Sequence, residues 1–232
     1  MAFLLSLETT THLFSCSLHQ DQRLIAYKES VRELTTASML AVLVESLFKD
    51  SGLSTKQLNA VVVASGPGSY TGLRIGVATA KGICYALDIP LISANSLSLI
   101  AQQFIDQYTE SACMNDVLLC PMLDARRMEV YCMLCDCKGN IVEPIQAKVI
   151  DEKSFSTWLR QKVIYFFGEG SDKCKNTIHH SNAKFITGIK PSAASLGIMG
   201  LKKYLSEDFE KPEFFEPLYL KDFVIKKPNL IS

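Results

Sequence analysis

The chain has 232 residues, no formal net charge at neutral pH and 48% hydrophobic residues, an ordinary globular composition with room for one large or two small domains. With 24 basic and 24 acidic residues, it has no global basic field to draw in RNA or an anionic membrane, so any nucleic-acid contact is expected to be local or borrowed from a partner. The opening apolar run stops at Glu8 without a basic leader, and no later run reaches membrane-spanning length; the chain reads as cytoplasmic, with no membrane contact.

In chain order, residues 4–8 form an apolar strand ending on an acid, Glu8-Thr9-Thr10-Thr11 is a turn, and residues 14–19 form a second strand before the polar turn Gln20-Asp21-Gln22. Thr35 or Thr36 caps a helix running to about Asp50, and Gly52 suits its end. Met39, Leu40, Val42, Leu43, Val44, Leu47 and Phe48 cover more than one stripe of that helix, as expected of a helix buried on two sides.

The most informative stretch follows. Residues 60–65 are a short β-branched strand, Gly66-Pro67-Gly68-Ser69-Tyr70-Thr71-Gly72 is a glycine-rich loop, and residues 73–87 are helical. The loop lacks the Lys-Ser/Thr ending of a phosphate-binding loop, and its nearest basic residue, Arg74, falls inside the helix. Gly72, Gly76, Ala80 and Cys84 recur every four residues and share one face. Glycine costs a helix about 1 kcal/mol relative to alanine, so the stripe is expected to admit close approach of another helix.

Residues 89–92 read as a strand and 96–107 as a helix. The second half then repeats the first: Cys120 to Leu123 leads to Asp124-Ala125-Arg126-Arg127, followed by the strand 130–135 and a polar turn. Glu8 aligns with Asp124, Phe14 with Val130 and Leu18 with Leu134 at one constant offset. Residues 153–160 read as a helix, 163–167 as a strand, Gly168-Glu169-Gly170 as a turn and 191–204 as a helix with a small-residue face; the tail 212–228 reads as extended. Eight cysteines invite a metal reading, strongest at Cys132-Met133-Leu134-Cys135-Asp136-Cys137. Strand alternation points Cys132 away from Cys135 and Cys137, so free thiols and no metal site are expected.

Two lobes that each open with a strand pair ending on an acid resemble the actin, sugar-kinase and heat-shock ATPase (ASKHA) superfamily. Within it the chain closely resembles the TsaB (YeaZ) family. The matching pieces are Leu7-Glu8-Thr9-Thr10, the string from Gly66 to Gly76 with Ala78-Thr79-Ala80-Lys81-Gly82 behind it, Asp124 to Tyr131, and Glu216-Pro217-Leu218-Tyr219-Leu220-Lys221.

The resemblance implies an α/β, two-lobed actin-like fold with duplicated mixed sheets flanked by helices. The expected lobes are 1–107, with the Gly-Pro-Gly loop and partner-binding helices, and 108–232, with helix 191–204 packing between lobes and an extended tail. It also implies a non-catalytic subunit that heterodimerises with the catalytic protein TsaD, works with the ATPase TsaE, and supports transfer of threonylcarbamoyl to the adenosine next to the tRNA anticodon; alone it would pair with its own copy. The His-x-x-x-His pair of the catalytic relative has no counterpart between Glu33 and Val44.

The expected partner surface is Met39, Leu40, Leu43, Leu47, Gly72, Gly76, Ala80 and Cys84. The candidate cleft or nucleotide residues are Glu8, Thr9, Thr10, Gly66, Gly68, Ser69, Thr71, Arg74, Asp124, Arg126 and Arg127. Both acid-led turns lack glycine, so no tightly bound cofactor and at most weak ATP or ADP binding is expected. Arg126 and Arg127 beside Asp124 either bind an anion or form a buried fork that ties the lobes. The alternatives are a weak ATP-binding enzyme, a peptidase-like protein of the M22 type, or a self-associating homodimer.

Overall fold

The structure is a computed structural model and describes residues 1–31, 37–112 and 116–221. The first half runs β1 (Phe3–Glu8), β2 (Leu13–Gln20), β3 (Arg23–Val31), α1 (Ala37–Ser51), β4 (Ala60–Gly66), α2 (Tyr70–Leu87), β5 (Leu91–Asn95) and α3 (Ser96–Ala112). The second half runs β6 (Val117–Asp124), β7 (Glu129–Cys135), β8 (Ile141–Val149), α4 (Ser156–Leu159), β9 (Val163–Phe167), β10 (Ala183–Ile186) and α5 (Ala193–Leu205).

The strands form two five-stranded mixed sheets, ordered β3-β2-β1-β4-β5 and β10-β9-β6-β7-β8. Both follow one plan. The opening strand pairs antiparallel with the next, which pairs antiparallel with the third, while the other two strands add in parallel on the opposite side. The repeat legible at Glu8 and Asp124 is therefore a repeat of topology. Glu8 lies opposite Ser15 and Asp124 opposite Val130, so the first hairpin connection is one residue longer.

Helices α1 and α2 cover one face of the first sheet, where Leu5, Leu7, Phe14, Cys16, Leu40, Leu47, Val77 and Ala80 share a core. Helix α5 covers the other face, against β1, β2, β4 and β5, and α3 packs on β6 and β7 while touching β4, β5 and α5. Two central helices thus lie between the sheets, each packed on the sheet of the opposite half, and α3 runs through position 107. The join is polar where α5 begins: Ala193 N–H donates to Ser15 Oγ at 3.0 Å, and Ser17 Oγ donates to Ala193 O at 2.7 Å. Buried hydroxyls at alternate positions of β2 satisfy backbone groups of the helix's first turn.

The structure departs from the sequence reading at short or polar elements. The edge strands β3 and β10 were not legible: β3 mixes charged and apolar residues at partly exposed positions, and β10 has only four residues. The helix expected over 153–160 shrinks to α4, because Phe155 takes a left-handed conformation (φ 62°) that starts the helix at Ser156. The helix expected to end at 107 continues to Ala112. The helix start at Thr35 or Thr36 and the tail from 222 to 228 lie outside the described residues. Alternation separates the thiols as expected: Cys132 packs with Cys120 and Cys174, whereas Cys135 and Cys137 face the cluster around α3.

Candidate functional site

The glycine-rich loop docks on the chain's own first hairpin. Ser69 N–H donates to Thr10 O at 2.7 Å, and Ser69 Oγ caps α2 by accepting from Gly72 N–H at 3.3 Å. A Cβ at Gly68 would lie 2.5 Å from Thr10 O, one at Gly72 2.0 Å from Thr9 O, and one at Gly76 2.3 Å from Thr9 Oγ1. Side chains cannot fit at those distances, so the three glycines let the start of α2 close on the β1–β2 turn.

This corrects the expected partner surface. Gly72, Gly76, Ala80 and Cys84 face inward, and Leu40 and Leu47 are fully buried in the same core; none can meet another chain. Met39 and Leu43 are half-buried. The outward face carries a second set of small residues at the same spacing, Ala78, Gly82 and Ala86, beside exposed Arg74 and Tyr85, with Ala41 and Val42 exposed on α1.

Between the halves lies a cavity of about 560 Å³. The first half contributes Thr10, Thr11, His12, Gly68, Ser69, Tyr70 and Thr71; the second contributes Asp124, Ala125, Arg126, Tyr131 and Glu169; the tail adds Lys221. Of the expected cleft residues, Thr10, Gly68, Ser69, Thr71, Asp124 and Arg126 line it. Glu8 and Thr9 lie buried, and Gly66 packs against Leu73 and the tail. Arg74 sits exposed on α2 with its guanidinium 4.4 Å from the Tyr70 ring, and Arg127 is exposed in the β6–β7 turn.

The expected buried arginine fork is not formed. Asp124 pairs with Lys173, whose ammonium also donates to Arg127 O at 2.7 Å and Glu129 O at 2.6 Å. One lysine from the segment after β9 thus braces a turn in which Arg126 and Arg127 both take left-handed backbone (φ 68° and 45°) and expose their side chains. His12, Tyr70, Tyr131, Glu169, Lys173 and Lys221 were missed as site residues. Tyr70, Tyr131 and Lys221 lie within stretches that the sequence singles out, and Glu169 stands between two glycines of a turn.

Glu8 is the most perturbed acid. It is fully buried, its Oε1 accepts from Thr10 N–H at 2.7 Å and from the Thr10 hydroxyl, and its Oε2 has no hydrogen-bond partner among the described residues. Burial raises its pKa from 4.5 to about 7; the Thr10 hydrogen bonds work against the rise, and the negative charge of Glu169 adds to it. Glu169 itself faces His12 across the cleft, Nδ1 to Oε1 3.4 Å.

Several backbone amides of the two acid-led turns are engaged within the chain. Thr10 N–H goes to Glu8, and Leu13 N–H to Thr11 Oγ1 at 3.2 Å. In the second turn Ala125 N–H goes to Glu129 O at 3.1 Å, Arg126 N–H to Asp124 Oδ1 at 2.8 Å, and Glu129 N–H to Arg126 O at 3.1 Å. A phosphate cradle needs such amides free and convergent, a job that glycine turns make easy.

Residues 35–228 match the family model described as TsaD, tRNA N6-adenosine threonylcarbamoyltransferase. The tRNA threonylcarbamoyladenosine biosynthesis protein TsaB of Bacillus subtilis is 32% identical over 145 residues, 61% of this chain and 58% of that protein. Taken with the Haemophilus influenzae and Escherichia coli proteins, this chain spans about half the length of the curated relatives it matches. A Pseudomonas aeruginosa structure described as similar to peptidase YeaZ superposes with a TM-score of 0.77 at 23% identity, over 95% of this chain and 100% of that one. The activator of 2-hydroxyisocaproyl-CoA dehydratase from Clostridium difficile, solved with ADPNP, superposes with a TM-score of 0.50 at 10% identity over 89% and 96% of the two chains. The expected two-lobed, actin-like fold holds. Five amides of the two acid-led turns are engaged by the chain itself.

Proposed function

The chain belongs to the TsaD family, and within it to the TsaB (YeaZ) group, and from that premise we propose that it is a non-catalytic subunit of the machinery that places threonylcarbamoyl on the adenosine beside the tRNA anticodon. The observation that supports the non-catalytic reading is the pair of acid-led, glycine-free turns, five of whose amides are engaged within the chain and so are withheld from a phosphate. The absence of histidine from residues 33–44 supports it, because the catalytic relative is expected to hold its metal there. The neutral charge fits a protein whose tRNA contact is made through others.

The partner is TsaD, with TsaE joining through that complex, and the docking face is the outer side of α1 and α2. Val42 is 62% exposed and Tyr85 92% exposed there, and nothing lies within 4 Å of a Cβ at Gly82. Exposed small residues beside two large apolar ones suit a pair of closely packed partner helices, which supply the ~800 Å² per side that a stable interface needs. Without TsaD the same face pairs two copies of this chain.

The test is a binding titration against TsaD with Gly82→Leu and Tyr85→Ala. Both should keep the melting temperature and weaken binding at least ~10-fold, the loss of about 1.4 kcal/mol. Depletion of the protein should abolish modified tRNA while the threonylcarbamoyl-adenylate supply persists. Unchanged affinity in both variants would place the interface elsewhere, and loss of the adenylate would place the protein upstream of TsaD.

A further inference from the structure

The tail after α5 is held to the first half at four points and reaches the second. Glu210 adds to the edge of β5, its N–H donating to Leu91 O at 2.8 Å and its carboxylate accepting from Ser93 Oγ at 2.5 Å. Phe215 packs into the core beneath α1 and α2, so the chain has passed around the sheet edge from the α5 face to the α2 face. Leu218 N–H donates to Ser65 O at 2.8 Å, and Leu218 O lies 3.0 Å from where a Cβ of Gly66 would stand, at a left-handed glycine (φ 101°). The Tyr219 ring packs tilted against Tyr70, centroids 4.9 Å apart, and Lys221, which lines the cavity, crosses to Glu129 on β7.

We propose that residues 206–221 are a latch that sets the opening of the two halves, and that the latch is read and set from the outer face of α2 through the packed series Arg74–Tyr70–Tyr219. Fixed on the first half by two backbone hydrogen bonds and one apolar anchor, the tail forms one ion pair with the second half among the described residues, Lys221–Glu129. A second contact across the cleft among the described residues is His12 Nδ1 to Glu169 Oε1 at 3.4 Å, with the His12 side chain 60% exposed. These contacts link the two halves at the cleft. Arg74 stands on the exposed side of α2 while its guanidinium lies on Tyr70, the ring that Tyr219 packs against. A protein seated on α2, which rests on the function proposed above, would touch Arg74 and so act on the latch.

Amide hydrogen exchange on the isolated full chain tests the latch without any partner. Lys221→Glu, Glu129→Gln and Tyr219→Ala should each speed exchange in the two cleft turns, residues 9–13 and 124–128, by about two- to fivefold, the range an exposed ion pair is worth. The exchange of charges in Lys221→Glu/Glu129→Lys should restore the slow rate, and Arg74→Ala should reproduce part of the acceleration from outside the cleft. Faster exchange confined to residues 206–221, with both turns unchanged, would reduce the tail to a passive strap and overturn the proposal. A failure of TsaD binding in the titration above would leave this result standing, so the two readings fail separately.

Discussion

Glu8→Gln makes the strongest demand on the cleft geometry. Wild-type Glu8 is fully buried, with a pKa raised from 4.5 to about 7, chiefly by burial. The folded chain therefore holds a proton at this carboxyl that the unfolded chain gives up between pH 4.5 and pH 7. Stability from this group is fully present below pH 4.5 and is lost as pH rises through 7. At ~1.4 kcal/mol per pKa unit the loss is about 3 kcal/mol, order of magnitude, with little solvent screening at a site this deep. Glutamine keeps the Oε1 acceptor for Thr10 and cannot ionise. The assay is urea unfolding of both proteins from pH 4.5 to pH 8.5, taking the difference in unfolding free energy at each pH. That difference should move in favour of Glu8→Gln by about 3 kcal/mol across the range, which is roughly 6–12 °C in melting temperature for a chain of this size. A difference that stays flat with pH would show that Glu8 titrates alike in both states, and the account of its burial would be wrong.

Gly76→Leu should destabilise the fold by several kcal/mol, roughly 3 or more, because its Cβ alone would meet Thr9 Oγ1 at 2.3 Å; a normal urea midpoint for this variant would contradict the packing. Thr9→Val should raise stability by about 1 kcal/mol, since the Thr9 hydroxyl is buried with no hydrogen-bond partner among the described residues; a clear loss in the melting temperature would mean that the hydroxyl has a partner. Burial lowers the pKa of His19 below its ordinary 6.5, so its contribution is present above pH 6.5 and is lost as pH falls below it. His19→Asn should flatten that acid limb of the urea midpoint against pH, opposite in sign to the Glu8 effect, and an unaltered limb would assign it to other groups.

Much of the architecture was legible because it rests on local pattern. The acid-ended strands at Glu8 and Asp124, the loop between a β-branched run and a helix, and the separation of Cys132 from Cys135 all follow from a period of two or a change of period within about ten residues. Polar edge strands escaped because β3 buries no full face. The inner face of α2 also escaped: small residues recur every four positions at 72, 76, 80 and 84 and again at 78, 82 and 86, and spacing cannot tell a helix which side its sheet will take. Only the packed β1–β2 turn, pressing Thr9 against Gly72 and Gly76, decided it. The same holds for the cleft. Asp124 finds Lys173 rather than the adjacent arginines, and Glu129 finds Lys221. Pairs so distant along the chain leave no periodic trace, because charge attraction is set by distance in space and only the folded chain fixes that distance.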